Sequence, residues 1–154
     1  MIRLIVYESY PLFLVGIKIA LKNCNYIHVT GDTSDVKVFF LLLADTPVEV
    51  VLLGINQNDN HLSVDVVRRI HHDYPLLKII AFADDDTEQT IRLLMEVGIN
   101  GFIRKRHADL NELRIAIQQV AAGGQYIGRI DKNFHLYQQT RYCEAQKNLQ
   151  HATH

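Results

Sequence analysis

Glu8, the Asp84-Asp85-Asp86 run and the Arg104-Lys105-Arg106-His107 cluster are the residues best placed for chemistry, because each follows a short apolar segment that reads as a buried strand. A carboxylate ending a buried strand without a partner would be costly, so Glu8 is expected to have a role. The three aspartates look like a metal site, yet helix capping and attraction to a helix N-terminus account for two of them. No metal is expected there. Lys105 is either a functional ammonium or one charge of an ordinary solvated run. The eight histidines are scattered, and only His71 and His72 adjoin, near a predicted helix C-terminus where a cation is welcome. No Ser/His/Asp or Cys/His set falls at strand ends, and Tyr7-Glu8-Ser9-Tyr10-Pro11 lacks the Gly, Ser and Thr series of a phosphate cradle. Neither an enzyme nor a bound cofactor is therefore expected.

The elements that must position these groups follow from composition and period. At 154 residues, 48% apolar and 21% charged, the chain suits one globular domain with a short appendage. Sixteen basic against seventeen acidic residues leave a net charge of -1, so no global attraction to nucleic acid or an anionic membrane is expected. Cys24 and Cys143 lack ligand spacing and read as reduced cytosolic thiols. The longest apolar run, residues 38–44, is far below the ~18 residues of a membrane span, and the N-terminus has no cleavage pattern. A cytoplasmic location is expected.

Apolar β-branched segments at 2–7, 26–30, 48–53, 78–83 and 101–104 alternate with helical periods at 11–23, 34–45, 63–73, 87–97 and 109–122. This alternation argues for β-α crossovers on a parallel sheet. Pro11 suits a first helical turn, Asp86-Thr87-Glu88-Gln89 has capping-box spacing, Asp109 can cap the last helix, and Gly98 and Gly123-Gly124 can end helices. Residues 1–124 form the expected domain, and 125–154 read as a polar linker or loosely docked helix.

Several local motifs fall in step with these units: Tyr10-Pro11-Leu12-Phe13, Val51-Leu52-Leu53-Gly54-Ile55-Asn56, Tyr74-Pro75-Leu76-Leu77-Lys78-Ile79-Ile80, Gly98 to Lys105, and Ala121 to Tyr126. Together they resemble the receiver domain of bacterial two-component response regulators, over roughly residues 2–128. The likeness is greatest to the subfamily that usually precedes a LuxR-type DNA-binding domain. The resemblance implies a flavodoxin-like (βα)5 doubly wound parallel sheet, strand order 2-1-3-4-5, in three α/β/α layers. It also implies a phosphoacceptor aspartate at the position of Gly54, an acidic pair for magnesium at Glu8 and Ser9, a hydroxyl at Ala83, a lysine at Lys105 and a switch aromatic at Phe102.

A glycine has no side chain to phosphorylate, and Glu8 with the Asn56 carbonyl is a poor remnant of an octahedral magnesium site. If Glu8 and Lys105 meet across the vacant acceptor position, the pocket becomes a near-neutral ion pair needing neither metal nor phosphate.

A phosphorylation-independent regulatory interaction module is therefore expected, acting by homodimerisation or by docking on a protein partner. Leu14, Val15 and Ile19 of the first helix, Ile115 of the last, and Val38, Leu41 and Leu42 of the second are the candidate interface residues. The alternatives are a small enzyme or a flavin or nucleotide binder on the same sheet, and weak nucleic-acid binding through 104–107 with Arg129, Lys132, Arg141 and Lys147.

Overall fold

Five β-α units succeed one another: β1 (Ile2–Tyr7), α1 (Pro11–Leu21), β2 (Ile27–Thr33), α2 (Val36–Asp45), β3 (Val50–Ile55), α3 (Asn60–Asp73), β4 (Lys78–Ala83), α4 (Glu88–Val97), β5 (Gly101–Arg104) and α5 (Leu110–Ala121). A short β6 (Tyr126–Ile127) follows. This computed structural model describes residues 1–57, 60–85 and 87–128. All neighbouring strands run parallel, in the order β2-β1-β3-β4-β5-β6. The fold is the expected flavodoxin-like doubly wound sheet.

Strand alternation splits the core in two. Ile5, Val51, Leu53, Ile55, Ile79, Ala81 and Phe102 face α2, α3 and α4, where Phe39, Leu43, Val67, Ile70, Ile91 and Leu94 meet them. Leu4, Val6, Val50, Leu52, Ile80, Phe82 and Ile103 face α1 and α5, against Leu14, Ile17, Leu21, Leu113, Ile117 and Val120. With a period of two, every second residue of each buried strand reaches the same helical layer.

Helix ends are fixed locally. Asp35 accepts the amides of Lys37 and Val38, and Asp109 accepts that of Glu112. Thr87, rather than Asp86, is the N-cap of α4, accepting the Thr90 amide, while Asp85 accepts the Thr87 amide and the Thr90 hydroxyl. Asp86 lies outside the described residues. Gly98 ends α4 at φ 120, a backbone conformation open to glycine, and its amide reaches Leu94 and Met95 carbonyls.

Three expectations shift. β3 extends to Ile55, so Gly54 lies inside the strand rather than beyond it. β2 starts and ends later than expected, with a register irregularity opposite Leu4 and Ile5 that inserts an extra residue. Tyr126 and Ile127, placed by sequence in the tail, pair with Gly101 and Phe102 as a sixth strand. The remainder of that tail, residues 129–154 with Cys143, lies outside the described residues. No described helix is long and apolar enough to cross a membrane.

Candidate functional site

The layer facing α1 and α5 carries one step further than the core. Leu4 and Val6 of β1 lead by alternation to Glu8, Val50 and Leu52 of β3 to Gly54 and Asn56, and Ile103 of β5 to Lys105. Tyr7 is level with Leu53, and Gly54 with Phe82, so these groups converge at the carboxyl edge of the sheet. That edge is where open α/β sheets place their ligand sites.

Glu8 is fully buried. Its Oε2 meets Lys105 Nζ at 2.7 Å, with side-chain exposures of 0% and 4%, so the pair is removed from water. Among the described residues Glu8 Oε2 has no hydrogen-bond partner besides this ion pair. Its Oε1 accepts the Tyr10 amide at 3.1 Å and the Asn56 amide group at 3.4 Å. Asn56, also buried, donates to the Ser9 hydroxyl, and its Oδ1 accepts from Lys105 Nζ at 2.7 Å. A buried ion pair holds only where its remaining donors and acceptors are met, and Asn56 bridges both partners.

Gly54 explains how the pair fits. A Cβ at this position would lie 1.9 Å from Glu8 Oε2, 2.6 Å from Glu8 Cδ and 3.1 Å from Glu8 Cα. The Glu8 carboxylate thus stands in the space that a side chain at residue 54 would need.

Magnesium, which the fold family's chemistry implies, does not fit these residues. Glu8, the one carboxylate among these residues, is already paired with an ammonium, Gly54 offers no side chain, and Asn56 Oδ1 is committed to Lys105. A hard dication wants several free oxygen ligands in near-octahedral array. Ala83 closes the fourth strand without a hydroxyl and is wholly buried.

Three aromatic rings complete the surroundings of Lys105: Phe13 at 4.9 Å, Phe82 at 5.3 Å and Tyr10 at 5.5 Å from Nζ to ring centroid. Sequence reasoning missed this cage. The signal available was Tyr10 and Phe13 three residues apart at a helix start, together with Phe82 in the same alternation as Ile80. The basic cluster divides accordingly: Lys105 turns inward while Arg106 and His107 are exposed. Phe102 lies at 0% exposure among the residues facing α4.

The candidate interface residues do not form a single patch. Leu14 is buried, because Leu14, Ile17 and Leu21 form the stripe of α1 that packs on the sheet. Leu42 is half-buried against the core and covers Gly31. Val15 (50%) and Ile19 (66%) are exposed and line a hollow against β2, while Ile115 (51%) lines a separate one with Arg104 and Tyr126. Val38 and Leu41 are exposed on α2, across the sheet from α1. Leu12, at 83% exposure, is not among those candidates. With Phe13, Gly16, Lys105, Leu110 and Leu113 it lines a mainly apolar hollow of about 360 Å³ between α1 and α5.

No protein-family model matches the chain. It is 26% identical over 125 residues to the transcriptional regulatory protein MctR of Rhizobium johnstonii, covering 81% of this chain and 58% of that protein. The chain therefore spans little more than half the length of this curated relative. In structure it is similar to the isolated REC domain of RcsB from Salmonella enterica serovar Typhimurium in its apo form, at a TM-score of 0.75 and 18% identity, covering 84% of this chain and 94% of that one. It is also similar to a LuxR family DNA-binding response regulator from Silicibacter pomeroyi, at a TM-score of 0.67 and 22% identity, covering 84% and 98%. The fold is that of receiver domains.

Proposed function

We propose that this chain is a receiver-type regulatory module that works without phosphorylation, in the cytoplasm, by contact with a second copy or another protein. One observation carries the reading: the space beside Gly54, where the resemblance puts the acceptor, is taken by the Glu8 carboxylate paired with Lys105. Phosphoryl transfer needs a nucleophile and a cation to neutralise charge on the transferring oxygens. Residue 54 has no carboxylate to offer, and Glu8 is buried and already neutralised.

Output by contact is supported by the apolar residues that α1 leaves uncovered among the described residues, Leu12, Val15 and Ile19. The curated relative is a longer transcriptional regulator, and dimers of RcsB have been solved on DNA. By that likeness the module serves transcription control, with DNA read by another domain and not by this chain. A near-zero net charge agrees with that division of labour.

The test is exposure of the purified protein to acetyl phosphate and magnesium, followed by intact-mass measurement, with Gly54→Asp carried alongside. No phosphoryl adduct is expected on the native chain. A stable acyl phosphate on it would overturn the reading.

A further inference from the structure

The entry of α1 has an unusual anchor. Tyr10 is its N-cap, with extended backbone at φ -90 and ψ 110, and makes no side-chain capping hydrogen bond. Helices commonly take that bond from Ser, Thr, Asp or Asn at the cap, and the first turn of α1 has no acidic residue either. Instead the Tyr10 amide is held by Glu8 Oε1 at 3.1 Å. From the other side, Lys105 Nζ rests against the rings of Tyr10 and Phe13, at 5.5 and 4.9 Å. An ammonium is attracted to aromatic faces, more strongly where water is excluded. Phe13 in turn meets Phe82 of β4 edge-on, at 6.5 Å between centroids. One buried ion pair therefore touches both the backbone and the side chains of the first turn of α1.

We propose that the Glu8–Lys105 pair is a latch that sets the entry of α1 and so presents Leu12, Val15 and Ile19 in one fixed orientation, with Gly54 as the vacancy into which the latch closes. Lys105 is a positioning residue: it acts on the helix through Tyr10 and Phe13 and need touch no partner. The control of helix entry stands on these contacts alone. Its consequence for association rests on the reading of α1 as a docking surface.

Amide hydrogen exchange on the full chain separates a latch from general stability. Lys105→Met keeps a long apolar stem against the rings and removes the charge. Ile70→Ala, a buried α3 substitution on the opposite face of the sheet, serves as a control compared at equal global stability. In Lys105→Met the amides of Leu14 and Val15 are expected to exchange at least about tenfold faster than in the control, while those of β3 and β4 match it. Gly54→Ala is the second variant, displacing Glu8 without altering Lys105 or α1, and should produce the same local loss. Lys105→Arg, which keeps the charge, should restore much of the protection. Loss of protection spread evenly over sheet and helices in both Lys105→Met and Gly54→Ala would overturn the latch. Phosphodonor labelling bears only on phosphorylation independence, so the two readings fail separately.

Discussion

Glu8, just past the end of β1, and Gly54 of the neighbouring β3 share one volume: Glu8 Oε2 lies 1.9 Å from where a Cβ on residue 54 would stand. Each residue is the condition for the other. A side chain at 54 requires Glu8 to leave, and Glu8 in place requires residue 54 to be glycine. Gly54→Ala is therefore expected to destabilise by about 1–3 kcal/mol, the range for overpacking a well-filled core. Glu8→Ala should cost less on that background than in the native chain, giving non-additivity above ~0.5 kcal/mol in a denaturation cycle. Strict additivity would mean that the two side chains do not compete.

The ion pair makes a separate prediction. Removing one partner of a buried pair strands the other charge, at a cost of roughly 3–5 kcal/mol, whereas removing both strands neither. Glu8→Ala and Lys105→Ala should each be strongly destabilising, and the double variant much less so than their sum. Urea denaturation of the four proteins measures the coupling, and a coupling of zero would remove the pair as an energetic unit.

Phe102 is where the resemblance places a switch aromatic. It is wholly buried, in the cluster with Ile91 and Leu94 of α4. Phe102→Ala should cost about 3–5 kcal/mol, as for other buried aromatic truncations. Phe102→Leu, which keeps most of the apolar contact, should cost much less. A near-neutral Phe102→Ala in a thermal melt would show that the ring can leave its site freely.

The sheet was legible because its strands are short apolar runs separated by helical periods, and the site because alternation carries Leu4 and Val6 to Glu8 and Ile103 to Lys105. What stayed hidden needed three dimensions. Which face of α1 packs is decided by Leu14, Ile17 and Leu21 against the sheet, so Leu14 was misassigned to the surface in a helix that is apolar on nearly every side. A two-residue strand such as Tyr126–Ile127 has too little sequence to show a period. The cage around Lys105 joins residues from α1 and β4 that no spacing connects.

Caps offer a local check on the frame that holds the site. Asp35 accepts two amides at the start of α2, at 2.7 and 3.3 Å, and Asp109 accepts the Glu112 amide at 2.8 Å. Replacement of either by alanine should cost about 1 kcal/mol, and by asparagine little, since asparagine caps nearly as well. Thermal denaturation would show the contrast. Equal losses for alanine and asparagine would assign the effect to charge at the helix N-terminus instead of to the capping bond.

Gly16 carries the opposite expectation. It lies inside α1, where glycine is less favourable than alanine by up to about 1 kcal/mol, and a Cβ there would meet nothing within 4 Å. Its own fold gives no steric reason for a glycine, so Gly16→Ala should stabilise the isolated protein by about that amount. Because Gly16 borders the cavity between α1 and α5, a bulkier change such as Gly16→Leu should fill that space while leaving the core untouched. If association uses this groove, light scattering should report a weaker complex for Gly16→Leu even as calorimetry reports a fold at least as stable. A loss of stability in Gly16→Ala would show that the groove is closed in solution, and the surface assigned to α1 would have to move.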